Sequence, residues 1–199
     1  MPKPRATPIV PLALRDRLSK IHVLTLAQIG QLFAVITDLR DRALFLVAYR
    51  HGLRASEVSL LKKTDVDLGG TKITIRRLTQ RPAGVHTLQK DETLALKRYL
   101  KSRTDTSAIL FLSTSGGAIS RRSLDWLMKE YGQKAKLPPT KRHFHVLKHS
   151  IATHLLGEGA DLRFVHEWLG HTMLQSTALY AYLVTAERKA PRSDFPRLL

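Results

Sequence analysis

The sequence predicts a mainly α fold with one small antiparallel β-sheet, an α+β domain flanked by a short arm at each end. Three observations carry this. From Thr25 onward most segments place apolar residues at helical spacing. The period drops to two only between Lys72 and Leu88, as a pair of strands requires. A chain of 199 residues with 43% hydrophobic content has material for one core and little more.

Residues 1–22 read as a basic N-terminal arm: four prolines interrupt them, and Lys3, Arg5, Arg15, Arg17 and Lys20 stand against Asp16. Thr25 is an N-cap for a helix whose apolar positions are Leu26, Ile29, Leu32, Phe33 and Ile36. Asp38 to Tyr49 forms a second helix, rich in apolar residues and ended by His51-Gly52, and Ala55 to Leu61 a short third. After a Gly69-Gly70 turn, Lys72 to Leu78 alternates, with Ile73 and Ile75 on one face and Thr74 and Arg76 on the other. Residues 79–84 are a loop, and Val85 to Leu88 returns to complete a hairpin. A helix follows over about 91–103, then a short apolar segment, Ile109 to Leu112. Further helices fall at about 120–135, 145–157, 161–169 and 173–182, with Gly157, Gly159 and Gly170 at their ends. Thr185 to Leu199 holds two prolines and reads as an arm. Trp126 and Trp168 are expected in the core.

Charge narrows the function. Lys and Arg number 33 against 16 acids, a net of +17, which favours a polyanionic partner. Residues 71–82 hold Lys72, Arg76, Arg77 and Arg81 with no acid, and residues 121–150 hold eight Lys or Arg against Asp125 and Glu130. Two such clusters and a basic arm point to a groove tracking phosphates, with Arg76, Arg77, Arg81, Arg121, Arg122, Lys141 and Arg142 as DNA-binding candidates. The absence of cysteine excludes disulfides, thiolate metal sites and a cysteine nucleophile. No apolar run reaches the length of a spanning helix, and Pro8 and Pro11 break the apolar part of the N-terminus, so a cytoplasmic protein without a signal peptide is expected.

Three segments carry chemistry: His51-Gly52-Leu53-Arg54-Ala55-Ser56-Glu57-Val58; His145 to Leu155; and Leu169-Gly170-His171-Thr172 followed by Ser176 to Tyr180. In this order, with nine residues from His171 to Tyr180, they resemble the catalytic domain of the tyrosine recombinase (phage integrase) family. The resemblance covers roughly residues 24–183, so residues 23–183 are expected to form that catalytic domain and 184–199 a tail that docks on a neighbouring subunit. The family usually carries a core-binding domain ahead of the catalytic one, and residues 1–22 are too few for it. In this respect, and from His51 to Leu61, the chain is similar to small fimbrial-switch DNA invertases.

The resemblance implies cleavage and rejoining of double-stranded DNA through a 3′-phosphotyrosyl intermediate, within a homotetramer on DNA, serving integration, excision or inversion. It makes Tyr180 the nucleophile, Arg54, His145, Lys148 and His171 the groups around the phosphate, and Glu57 their support. The chemistry agrees: a phosphodiester repels nucleophiles, and opening it without a metal needs cations and donors on its non-bridging oxygens. His145, Lys148 and His149 share one side of a helix. Tyr182, two positions along, is the rival nucleophile, and an apolar stripe of Leu179, Tyr180 and Leu183 is the structural alternative.

Two departures stand out. Lys148 replaces the family's second arginine, keeping charge but losing planar two-pronged donation. The hairpin holds Thr79 or Gln80 where the family has a lysine acid. They motivate an alternative reading, a DNA-binding accessory protein with weak or lost catalysis; nicking and resealing without strand exchange is a third. No cofactor or metal is expected. His166-Glu167-Trp168-Leu169-Gly170-His171 imitates a zinc-protease motif, but its histidines are i and i+5, about 140° apart on a helix.

Overall fold

The computed structural model describes residues 18–77 and 83–187. Helices α1 (Leu26–Val35), α2 (Leu39–Arg50) and α3 (Ala55–Leu60) come first, followed by strands β1 (Val66–Asp67), β2 (Lys72–Ile75) and β3 (Gly84–Thr87). Then come α4 (Lys90–Ser102), α5 (Arg121–Lys134), α6 (Val146–Gly157), α7 (Leu162–Leu169) and α8 (Leu174–Glu187). The mainly helical reading and its small antiparallel sheet hold.

Several helices start where side chains satisfy free backbone amides. Thr25 Oγ1 accepts from the Gln28 amide at 3.2 Å while Gln28 Oε1 accepts from the Thr25 amide at 3.1 Å, a reciprocal capping box. Asp38 caps α2, Ser120 caps α5 and Asp161 caps α7, each side-chain oxygen accepting from an amide of the first turn. From Ala43 to Tyr49 every residue of α2 is buried, so this helix is the axis of the core. Phe45 meets Tyr131 and Phe144 edge-on, each at 5.7 Å between centroids.

The sheet runs in the order β1-β2-β3, all antiparallel. Ile73 and Ile75 face the core as their alternation predicts. The two-residue β1 was not foreseen; a strand of that length carries no period to read. On β3 the inward residue is His86, paired with Ile73, whereas Val85 is 65% exposed.

Three expectations change. Trp126, expected in the core, is 59% exposed, because α5 turns Leu124, Leu127 and Met128 inward instead. Trp168 is partly buried against the core, its indole N–H donating to the Arg50 carbonyl at 2.9 Å. Thr185, expected to begin a C-terminal arm, lies within α8, which continues to Glu187. At the other end, Ile21 already packs on the core, inside the expected arm.

The segment leading into α1 is tied to α6. The Leu24 amide donates to Ser150 Oγ at 2.8 Å. His154 Nε2–H donates to the Leu24 carbonyl at 2.8 Å, leaving Nδ1 to accept from the Tyr49 hydroxyl at 2.7 Å.

Candidate active site

Two helix ends build the site. At the first, α2 stops at His51, and Gly52 turns the chain with φ +56°. Gly52 lies directly beneath Leu169, with which a β-carbon would collide. The turn delivers Arg54 as N-cap of α3. The Arg54 amide donates to Glu57 Oε2 at 2.8 Å and its guanidinium to Oε1 at 3.0 Å. Glu57 is fully enclosed and also receives Arg77 Nη1 at 3.0 Å. Burial alone would raise the Glu57 carboxyl; Arg77, Lys148 and the Arg54 amide hold it below the usual range instead. Arg54 keeps 32% of its side chain open to solvent, enough to meet a ligand.

At the second end, α7 stops at Gly170, left-handed with φ +61°, and His171 follows. His171 Nδ1 is 2.8 Å from Thr177 Oγ1 at the start of α8, which fixes the ring plane. Tyr180, about one turn further along α8, stacks on the His171 ring at 6.0 Å. Its hydroxyl lies 2.7 Å from His149 Nδ1.

Helix α6 supplies the third wall. His145 sits exposed at its start, and His145 and His149 meet ring edge to face at 4.4 Å. Lys148 points the other way, into the molecule. Its ammonium donates to the Gly52 carbonyl at 2.7 Å and the Leu169 carbonyl at 2.6 Å, and the residue is 1% exposed.

The electrostatics follow from burial beside cations. His171 is lowered to about 3, by desolvation first and then by Lys148 and Arg54. His145 is lowered to about 4, by desolvation at its inner edge and then by the same two cations, although its outer side is open. His149 falls to about 3 by burial and by His145. Burial pushes the Tyr180 phenol up, opposed by Arg54, so at rest it is a neutral hydroxyl hydrogen-bonded to a neutral His149. The group unites a buried phenol, three neutral imidazoles and a partly exposed guanidinium.

The sequence profile of the phage integrase family matches residues 22–187. The chain belongs to the phage integrase family. It is 40% identical over 181 residues to tyrosine recombinase XerA of Thermococcus kodakarensis, covering 88% of this chain and 63% of that one. It is 36% identical over 149 residues to the type 1 fimbriae regulatory protein FimE of Escherichia coli, covering 72% and 75%. The crystal structure of XerA recombinase superposes with a TM-score of 0.74 at 27% identity, covering 86% of this chain and 66% of that one. The chain thus spans about 63% of the length of its XerA relative.

In this phage integrase family chain Arg54 lies within electrostatic reach of His145, His171 and Tyr180, and Lys148, enclosed beneath them, acts on both His145 and His171. Tyr182 is 41% exposed, whereas Tyr180 is 4% exposed and ringed by the histidines. Of the DNA-binding candidates, Arg121 and Arg122 are exposed at the start of α5, Arg121 within 3.8 Å of Asp125. Arg76 is half exposed and paired with Asp65. Lys141 donates to Gln28 Oε1 at 3.0 Å, and Arg142 to the Leu137 carbonyl at 2.7 Å, both partly buried.

Arg77 departs from expectation: its side chain is 4% exposed and faces inward, drawn by Glu57 and by free carbonyls at the helix ends. Arg81, Thr79 and Gln80 lie outside the described residues. His166 and His171 both approach Thr177 Oγ1, with ring centroids 6.4 Å apart. Sequence reasoning placed His149 beside His145 without foreseeing its bond to Tyr180; the i, i+4 spacing was the signal. For Thr177 no signal existed.

No helix among the described residues is long and apolar enough to cross a membrane.

Proposed function

We propose that this chain is a tyrosine-type site-specific DNA recombinase, cleaving double-stranded DNA with Tyr180. The observation that carries it is the Tyr180 hydroxyl, held by His149 beside His171 within reach of the Arg54 charge. Arg54, His145 and His171 take the non-bridging oxygens of the scissile phosphate, where negative charge grows as the fifth bond to phosphorus forms. The Tyr180 oxygen bonds to phosphorus as its proton passes to His149 Nδ1, and the bond to the 5′ oxygen breaks. That oxygen takes up a proton from solvent and leaves as a free 5′-hydroxyl. The phosphotyrosyl ester keeps the bond energy, so a 5′-hydroxyl from another strand reseals it without ATP or cofactor.

Arg76, Arg121, Arg122, Lys141 and Arg142, with Arg81, contact the duplex backbone. Strand exchange takes place in the cytoplasm, between four copies assembled on DNA, with residues 184–199 docking on a neighbour. Integration, excision and inversion share these steps.

The test is covalent capture. Duplexes selected for binding from a random pool are nicked so that the 5′ fragment diffuses away, and the products are resolved under denaturing conditions. A DNA-linked protein band is expected from the wild type and from Tyr182→Phe, and none from Tyr180→Phe. A band persisting in Tyr180→Phe moves the nucleophile elsewhere. No band in the wild type, with one appearing in the Lys148→Arg, Thr79→Lys double variant, favours the accessory-protein reading.

A further inference from the structure

The two helix ends that carry Arg54 and His171 point their last carbonyls at one another. The closing residues of α2 and the residues after it offer the carbonyls of His51 and Gly52; the last turn of α7 offers those of Trp168 and Leu169. Helix C-termini leave such carbonyls without intrahelical partners and carry partial negative charge. Bringing two together is unfavourable unless cations lie between them.

Two buried cations do so. Lys148, from α6, joins the Gly52 carbonyl to the Leu169 carbonyl. Arg77, from the end of β2, donates through Nη2 to the His51 carbonyl at 3.0 Å and to the Trp168 carbonyl. Its Nη1 donates to Glu57 Oε2 at 3.0 Å and reaches the Gly52 carbonyl at 3.4 Å. Both guanidinium ends are engaged, and every partner lies inside the molecule. Gly170 makes room for this: a β-carbon there would stand 2.7 Å from Arg77 Cδ and Nε. The planar fork suits the task, since it reaches four acceptors on three segments at once.

We propose that Arg77 is a positioning residue of the cleavage reaction, a buried clamp that holds the Arg54 turn against the His171 turn rather than a contact to DNA. This rests on the recombinase reading above. Lys148 supplies one bridge between the turns and cannot supply the second, because an ammonium lacks the planar reach. Releasing the clamp lets Arg54 and His171 drift relative to Tyr180, and a displacement near 1 Å costs about 100-fold in rate.

The test compares the wild type with Arg77→Gln and Arg77→Lys. Affinity for a generic duplex of about 30 base pairs is measured across a salt series, and adduct formation is timed at saturating selected duplex. For Arg77→Gln, adduct formation falls at least about tenfold, while affinity and the slope of log K against log salt stay as in the wild type. Arg121→Ala, in contrast, reduces that slope by about one. Arg77→Lys restores part of the rate with affinity unchanged. A slope reduced by about one in Arg77→Gln shows a phosphate contact and overturns the proposal; so does a wild-type adduct rate in both variants. If thermal melts show Arg77→Gln unfolded, the Arg77→Lys split between rate and affinity decides alone. A wild type that forms no adduct defeats the recombinase reading, while the salt series still decides whether Arg77 meets DNA.

Discussion

The Tyr180 hydroxyl and His149 Nδ1 are hydrogen-bonded across 2.7 Å, so the candidate nucleophile at rest is bonded to the same helix that carries His145. Tyr180→Phe removes the phenolic partner and with it this bond to a buried imidazole nitrogen. We expect a stability loss of about 1 kcal/mol in urea denaturation. An unchanged midpoint means that the bond does not form in solution.

Stability should fall in mild acid. His86, His149 and His171 are lowered to about 3 and His154 to about 4, all chiefly by burial. Unfolded, each titrates near 6.5. Between about pH 6.5 and 4 the unfolded chain binds protons that the folded chain refuses, so unfolding becomes easier as pH drops. Each group contributes up to about 1.4 kcal/mol per pH unit. Above pH 7 these groups add no slope. Urea midpoints measured from pH 8 to 4.5 check this, and a flat profile refutes the buried, neutral assignment.

Gly52→Ala should destabilise the protein by about 1–3 kcal/mol, from left-handed backbone strain and from the collision with Leu169. Because Gly52 precedes Arg54 by two residues, any folded Gly52→Ala protein should also bind DNA yet form adduct slowly. A variant as stable as the wild type contradicts the close seating of Gly52 under Leu169.

Lys148→Met takes the only side-chain donor from the Leu169 carbonyl among the described residues and one of two from that of Gly52. A loss of about 2–4 kcal/mol is expected by chemical denaturation. Near-neutral stability would indicate that the ammonium leaves this enclosure in solution.

Trp126→Ala should change stability by less than about 0.5 kcal/mol, given its exposure. Phe144→Ala, fully enclosed against Phe45, should cost about 3–5 kcal/mol. Thermal melts of the pair separate the two environments.

Helix positions were legible because caps and apolar period agree, as at Thr25 and in Asp161 to Gly170. The hairpin's inner face was half legible: Ile73 and Ile75 announce themselves, but His86 is turned inward by its pairing with Ile73, a fact of register and not of polarity. Trp126 misled because a large aromatic side chain is usually buried, and only the facing of α5 settles its side. The sequence named Arg54, His145, Lys148, His171 and Tyr180 as one candidate site from the order of three segments. What Arg77 and Lys148 do was not legible, because a basic residue two places from a phosphate and one folded beneath helix ends look alike in a sequence. Only convergence of α2 and α7, which lie far apart along the chain, distinguishes them.

The bonds between Leu24 and α6 have a mechanical result. Ser150, next to His149, and His154, five residues on, grip the backbone arriving at α1. Tension applied to whatever lies upstream of Leu24 therefore reaches the rod bearing the imidazole that restrains the phenol, without crossing a hinge.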